Sequence, residues 1–213
     1  LWSLLRARVL SIVNVVGSSV ARESDDVFYT WAGPEIAVAS TKAYTTQLMC
    51  LYLLAIYMGR AKGVISDAEY SLYISELSAM PERLSRLLLE EDRIAEIAKD
   101  LFEKRDIFFI GRGLDSPVAY EGSLKMKEIS YINSFAIAAG ELKHGTIALL
   151  DKGVPVVALA NQDALYEKML SNIQEVKARG AYVLGMAKDH NKEIEKSADK
   201  TLHIPDCEDV FTP

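Results

Sequence analysis

The sequence predicts an α/β protein built on mainly parallel β-sheets. Apolar, β-branched runs of strand length end in short loops, and they alternate with longer segments of helical periodicity. Such alternation is typical of βαβ units, in which helices cover parallel strands. The predicted strands are Val9–Val16, Val27–Thr30, Asp106–Ile110, Pro155–Ala160, Tyr182–Ala187 and Thr201–Ile204.

Helical segments separate the first two strands from the others. Thr41–Arg60 is apolar nearly all round, so we expect a buried helix, with Ser40 as its N-cap. Two or three amphipathic helices are expected between Ser66, a cap candidate, and Lys104, with a break at Met80-Pro81. Two further helices are predicted in the second alternating region, Pro117–Ile132 and Ala164–Arg179, the latter closed by Gly180.

The two N-terminal strands are too few for a stable sheet. They either pair with strands upstream of Leu1, the interpretation we prefer, or join the second sheet. The chain also stops at Pro213, where a last helix is expected. The sequence therefore predicts one α/β unit preceded by the final part of another.

Composition excludes several functional classes. The net charge of −6 and pI near 5.2 leave no basic field for nucleic acid or an anionic membrane surface. The longest apolar run, Leu48–Met58, is shorter than a membrane span needs. Two cysteines without metal-ligand spacing predict no disulfide framework and no metal site, and favour the reducing cytoplasm.

The predicted helix Pro117–Ile132 carries two polar stripes. Glu121, Lys125 and Glu128 share one, and a second stripe, nearly opposite, contains Ser123, Lys127 and Ser130. Because a surface helix needs only one solvated face, one stripe is expected to line a polar cavity or an interface. The alternative is ordinary ion pairing on a solvated face.

His144 lies in a glycine-bounded segment, Gly140–Gly145, and can be displayed from a loop. Histidine is the side chain best suited to proton transfer near neutral pH, although a structural role is an equal alternative. His190 and His203 are interpreted as structural. The loops Gly17-Ser18-Ser19 and Gly111-Arg112-Gly113 could bind a phosphate through backbone N–H groups, but neither completes a known motif.

Three strings closely resemble the isomerase half of glutamine–fructose-6-phosphate transaminases: GPEIAVASTKAYTTQL from Gly33, EGSLKMKEISYI from Glu121 and AAGELKHG from Ala138. The resemblance implies paired SIS (sugar isomerase) subdomains, each a three-layer α/β/α unit with a parallel sheet, in a homodimer. It implies that residues 1–62 are the carboxyl part of a first subdomain, 63–92 a helical bridge and 93–213 a second subdomain without its C-terminal tail.

The resemblance also implies roles for individual residues. Glu128 matches the base that moves a proton between C1 and C2 of the open-chain sugar, and Lys125 matches its partner. His144 matches the residue that opens the sugar ring from the other subunit. Val38, Ala39 and Ser40 match the segment that contacts the sugar. The implied activity converts fructose 6-phosphate and ammonia to glucosamine 6-phosphate without a cofactor.

Other features separate this chain from the full family pattern. The phosphate-binding loop, the imine-forming lysine and the ammonia-supplying glutaminase domain are expected outside the chain, so the fragment alone is expected to be inactive. Asn133 and Thr146 replace a histidine and a proline beside the site. Two alternatives stay open: a phosphosugar-binding SIS module that regulates without turnover, and a fructosamine-phosphate deglycase.

Overall fold

The structure, a computed structural model, describes residues 7–213. It contains two compact units, one ending at Leu77 and one formed by Ser78–Pro213. The α-helices are α1 (Ser19–Glu23), α2 (Lys42–Ala61), α3 (Asp67–Leu88), α4 (Glu91–Leu101), α5 (Asp115–Ser130) and α6 (Tyr166–Ala178). The strands are β1 (Leu10–Val13), β2 (Asp26–Tyr29), β3 (Asp106–Gly111), β4 (Asn133–Ala138), β5 (Pro155–Ala160), β6 (Tyr182–Lys188) and β7 (Lys200–Ile204).

The first unit contains a sheet of its own, in which β1 and β2 pair in parallel. Among the described residues these strands do not join the second sheet, so that alternative is wrong, and the preferred pairing with strands upstream of Leu1 stays a prediction. β1 is shorter than predicted because Asn14 follows it, and the Asn14 side-chain oxygen accepts hydrogen bonds from Thr30 and Ala32, both at 3.0 Å. The sequence missed the short helix α1, whose N-terminus is capped by Ser18.

Helix α2 corrects two expectations. Ser40 is not its cap: Thr41 occupies the N-cap position, and the Glu35 carboxylate accepts a 3.3 Å hydrogen bond from the Ala43 N–H. A charged acceptor eight residues upstream therefore does what the Ser40 hydroxyl was expected to do. The helix is also less buried than predicted, with only Cys50 and Ile56 inside. Among the described residues of the first unit, the two short strands and the short helix α1 leave most of the 20 residues of α2 uncovered.

Helix α3 begins as predicted and continues further than predicted. Ser66 and Glu69 form a reciprocal capping box, in which the Ser66 N–H donates to the Glu69 carboxylate at 2.8 Å and the Glu69 N–H donates to the Ser66 hydroxyl at 3.2 Å. The predicted break at Met80-Pro81 is wrong, since Pro81 lies inside the helix. Proline removes one backbone hydrogen bond there, and the helical periodicity on both sides outweighs that loss.

The second unit is a five-stranded parallel sheet with the strand order β4-β3-β5-β6-β7. Four of these strands were predicted within one residue at each end. The sequence missed β4, which forms one edge of the sheet, because its composition lacks the continuous β-branched pattern of a central strand. Gly180 ends α6 as predicted, and its φ of +89° is the left-handed conformation that glycine adopts without strain.

Alternate residues of the central strands face two separate cores. On one face, Ile107 and Phe109 of β3 pack in a cluster with Ile97 of α4 and Ala119 of α5. On the other, Phe108 and Ile110 share a cluster with α6 side chains, among them Met169, Ile173 and Val176. Strand β5 is buried along its whole length. The second unit therefore has the predicted three-layer α/β/α architecture.

Candidate active site

Helix α5 carries a half-buried ion triad. The Lys125 Nζ lies 2.8 Å from Glu128 Oε2 and 3.4 Å from Glu121 Oε1, and the three side chains are 20%, 31% and 25% exposed respectively. The hydrogen bond to Glu128 raises the pKa of Lys125, and Glu121 adds to the effect. A carboxylate therefore lies within hydrogen-bond distance of an ammonium whose charged form is favoured.

Contacts on the sheet side of α5 set the rotation of the helix. Ser123 is fully buried, and the hydroxyls of Ser134 on β4 and Ser123 form a 2.9 Å hydrogen bond. A Cβ at Gly122 would stand 3.0 Å from the Phe109 ring, so glycine lets the helix approach β3 closely. The two predicted polar stripes thus differ: Ser123 is sealed against β4, whereas Lys127 and Ser130 are exposed and the triad is half-buried.

His144 ends a 3₁₀ helix, Ala139–His144, rather than lying in an irregular loop as predicted. The preceding Leu142 is completely buried, yet the His144 side chain is 76% exposed. Its Nε2 lies 3.8 Å from Glu141 Oε2. Within residues 7–213, no hydrogen bond or ion pair joins His144 to Lys125 or Glu128. The expected display of the imidazole to solvent is present, and the expected catalytic pairing stays a prediction.

The predicted sugar-contacting segment belongs to the first unit and precedes α2. Val38 is exposed, Ala39 is 4% exposed and Ser40 is half-buried. Since Glu35 caps the helix, the Ser40 hydroxyl is not needed for capping, and it makes no hydrogen bond with any residue of the described chain. A ligand could therefore use it.

The two glycine loops have other partners in the structure. Ser18 of Gly17-Ser18-Ser19 caps α1 through its hydroxyl. Arg112, between Gly111 and Gly113, donates from Nε to the Asn172 side-chain oxygen at 2.9 Å. The phosphate-binding hypothesis for these two loops stays a prediction.

A charged cluster at the carboxyl ends of the strands was not predicted from the sequence. Lys188, whose side chain is 2% exposed, places Nζ 2.8 Å from Asp163 and 2.5 Å from Asp209. His190 joins the same cluster, with Nδ1 2.7 Å from Asp206 and Nε2 3.0 Å from Asp163. These partners come from segments far apart in sequence, so no local pattern could reveal them. The structural interpretation of His190 fits its place among these ion pairs.

Burial perturbs one more carboxyl group near this edge. Asp115 at the start of α5 is 1% exposed, and burial raises its pKa to about 6, while hydrogen bonds from the Asn161 N–H and side-chain amide oppose the shift. The Asn161 side-chain oxygen has no hydrogen-bond partner among the described residues. Asp115 was not a sequence-level candidate because its burial depends on β5 and the loop that follows.

Neither a membrane-spanning helix nor a metal cluster is present in the described part of the chain. None of the helices described between residues 7 and 213 is both long and apolar enough to cross a membrane. Within the same range, no cluster of three or more His, Cys, Asp or Glu side chains is arranged to hold a metal ion.

The second unit is a parallel α/β unit with a half-buried ion triad on one helix, and comparison with known proteins gives its family. The SIS domain profile matches residues 4–57 and 100–212. This chain belongs to the SIS domain family. The residues between the two matched segments include α3 and most of α4.

Individual relatives in this family are similar to the chain over nearly its whole length. The chain is 56% identical over 207 residues to the glutamine–fructose-6-phosphate aminotransferase [isomerizing] of Caldanaerobacter subterraneus subsp. tengcongensis and 54% identical to that of Symbiobacterium thermophilum. In both cases the alignment covers 97% of this chain and 34% of the relative. The solved C-terminal domain of glucosamine-fructose-6-phosphate aminotransferase from Francisella tularensis has a TM-score of 0.90 at 40% identity, over 94% of this chain and 57% of that one.

Proposed function

We propose that this chain is the isomerase part of an enzyme that makes glucosamine 6-phosphate from fructose 6-phosphate and ammonia. The observation that supports the proposal most is the half-buried Lys125–Glu128 pair at 2.8 Å on α5. The relatives that are 54% and 56% identical are glutamine–fructose-6-phosphate aminotransferases, which supports this activity. The enzyme works as a cytoplasmic homodimer in this proposal, with ammonia supplied by a glutaminase domain.

The chemistry requires a proton to move between neighbouring carbons. Ammonia condenses with the C2 carbonyl of the open-chain sugar and releases water. The imine nitrogen takes up a proton from solvent, and Glu128 then removes a proton from C1 to give a neutral enolamine. Glu128 returns that proton to C2, while the C1 hydroxyl loses its proton to solvent and becomes the aldehyde, which leaves an amine on C2. Lys125 stabilises the charge that develops during these proton transfers, since its ammonium is held beside the carboxylate.

The remaining residues prepare the sugar for this step. His144 opens the ring by acid–base catalysis at its oxygen atoms, approaching from the partner subunit, and its exposed imidazole is accessible for such a role. Val38, Ala39 and Ser40 contact the sugar, and the Ser40 hydroxyl is available to it.

The test is turnover of the full-length parent enzyme carrying Glu128→Gln. Glutamine keeps the size of the side chain but cannot accept the C1 proton, so formation of glucosamine 6-phosphate should fall by about 10²-fold or more. Lys127→Met is the matched control, because Lys127 is exposed on the same helix outside the triad. Unchanged turnover in the Glu128 variant would remove this residue from the proposed role.

A further inference from the structure

The 3₁₀ helix Ala139–His144 is held in place by the side chains of the two residues that precede His144. Leu142 is completely buried in the core that includes Phe108 and Ile173. Lys143 extends to α6, where its Nζ lies 2.8 Å from Glu175 Oε1. His144 follows directly and faces solvent. Leu142 thus anchors the 3₁₀ helix in the core, and Lys143 links it to α6.

A buried amide continues this connection. Asn172 is 5% exposed and lies one turn before Glu175 on α6. Its Nδ2 donates to Glu175 Oε2 at 3.2 Å, and its Oδ1 accepts from Arg112 Nε at 2.9 Å. Because a buried amide is costly to leave unpaired, these two bonds fix the orientation of Asn172 and, through it, of Glu175.

The same network reaches the start of the 3₁₀ helix. A Cβ at Gly140 would lie 3.3 Å from Arg112 Nη2, so the guanidinium packs against the backbone there. The Lys143 hydrogen bond is the main cause of the lowered pKa of Glu175, assisted by Asn172 and Arg112 and opposed by burial. Glu175 is therefore ionised at neutral pH and holds Lys143 as a charged pair.

We propose that Asn172, with Arg112 and Glu175, is a positioning group for His144. The 3₁₀ helix is short and contains Gly140, and Gly145 follows it with a φ of +151°, so its own backbone gives it little rigidity. The network contacts the 3₁₀ helix at Gly140 and at Lys143, near its two ends, and so fixes the position of the His144 imidazole. This inference rests on the proposed role of His144 in ring opening.

The first test compares variants of the full-length enzyme. Asn172→Leu removes both hydrogen bonds at similar size, and Lys143→Met breaks the link to α6 at an exposed position. Both should lower kcat about 10-fold or more with KM changed less than about threefold, because small misplacements of a catalytic group are costly. Lys143→Arg should restore most of the loss. Binding of an acyclic hexitol 6-phosphate, which has no ring to open, should be unchanged.

The matched control is Lys177→Met. Lys177 lies on α6 and pairs with Asp199 at 2.7 Å, away from the network, so its loss should leave kcat unaltered. If Asn172→Leu does not fold, Lys143→Met decides the question, since its side chain is 67% exposed and its loss leaves the core intact.

A double-mutant cycle with His144→Asn separates the positioning role of the network from the proposed catalytic role of His144. If the network acts through His144, adding Asn172→Leu or Lys143→Met to His144→Asn slows the enzyme no further. Independent, multiplicative losses would overturn the positioning role alone, as would unchanged kcat in both network variants. If His144→Asn by itself leaves turnover unchanged, the proposed function of His144 fails, and the positioning role fails with it.

Discussion

Lys188 differs from an ordinary surface lysine because its side chain is only 2% exposed. Its ammonium is buried, and it is neutralised by the carboxylates of Asp163 and Asp209, which begin two different 3₁₀ helices. These bonds outweigh the effect of burial and raise the pKa of Lys188. The charge is retained because both partners are provided by the fold, and their spacing in sequence gives no sign of it.

Replacing this lysine should destabilise the second unit. Lys188→Met leaves two carboxylates close together without their cation, and because both are partly exposed the cost is expected to be about 2 kcal/mol, below that of a fully buried pair. Thermal or urea unfolding would measure it. The control Lys196→Met removes an exposed pair with Glu193 and should cost less than about 0.5 kcal/mol. Equal effects in the two variants would contradict a structural role for the buried ammonium.

The spacing of Glu121, Lys125 and Glu128 predicted one shared helical stripe, and the structure confirms it. Spacing alone could not decide between a solvated and a sheltered face, since the difference depends on the rotation of α5. That rotation follows from the Ser123–Ser134 bond and the close approach at Gly122, which involve β4 and β3.

At the scale of elements, ion pairs tie the segment after β7 to the end of β6. His190 follows β6 and Asp206 follows β7, and their side chains meet at 2.7 Å. The hydrogen bond that Asp206 accepts from the His190 ring raises the pKa of His190, with Asp163 adding to the shift against burial. Burial alone would raise the pKa of Asp206, but the bond to His190 and the charge of Lys188 lower it.

These opposite shifts predict a pH window for stability. The raised pKa of His190 means that its contribution is complete below the ordinary value of 6.5 and is lost as pH rises through the raised value. The lowered pKa of Asp206 means that its contribution is present above 3.8 and is lost as pH falls through the lowered value. The difference in Tm between the native protein and His190→Gln should be largest near pH 5 and small near pH 9. A difference independent of pH would contradict this assignment.

Elements were predicted well where the signal is local and poorly where it is tertiary. The cap at Ser66 is a contact across three residues and was predicted, and the structure adds Glu69 as its reciprocal partner. The predicted cap of α2 was wrong because the first turn is capped by Glu35, which lies several residues before the helix. Strand β4 was missed because its place at the sheet edge, paired only with β3, demands less of its side chains than a central position.

For the whole molecule, the parallel α/β class followed from alternation of buried strands with helices, which β5, buried on both faces, shows most clearly. Two separate sheets were also expected, because helices α2 to α4 lie between the two groups of strands. Assembly could not be worked out from spacing: only the resemblance to a known family implied that His144 acts across a subunit boundary, and this remains our proposal.

Mixed dimers of the full-length enzyme test the central claim most directly. One subunit carries Glu128→Gln and the other His144→Asn, so a dimer with sites shared between chains has one site in which both residues are intact. Random mixing of equal amounts should restore about a quarter of native activity, although each variant alone is nearly inactive. Activity of the mixture no higher than that of the separate variants would contradict the account, since it would mean that Glu128 and His144 of different chains do not act on one sugar.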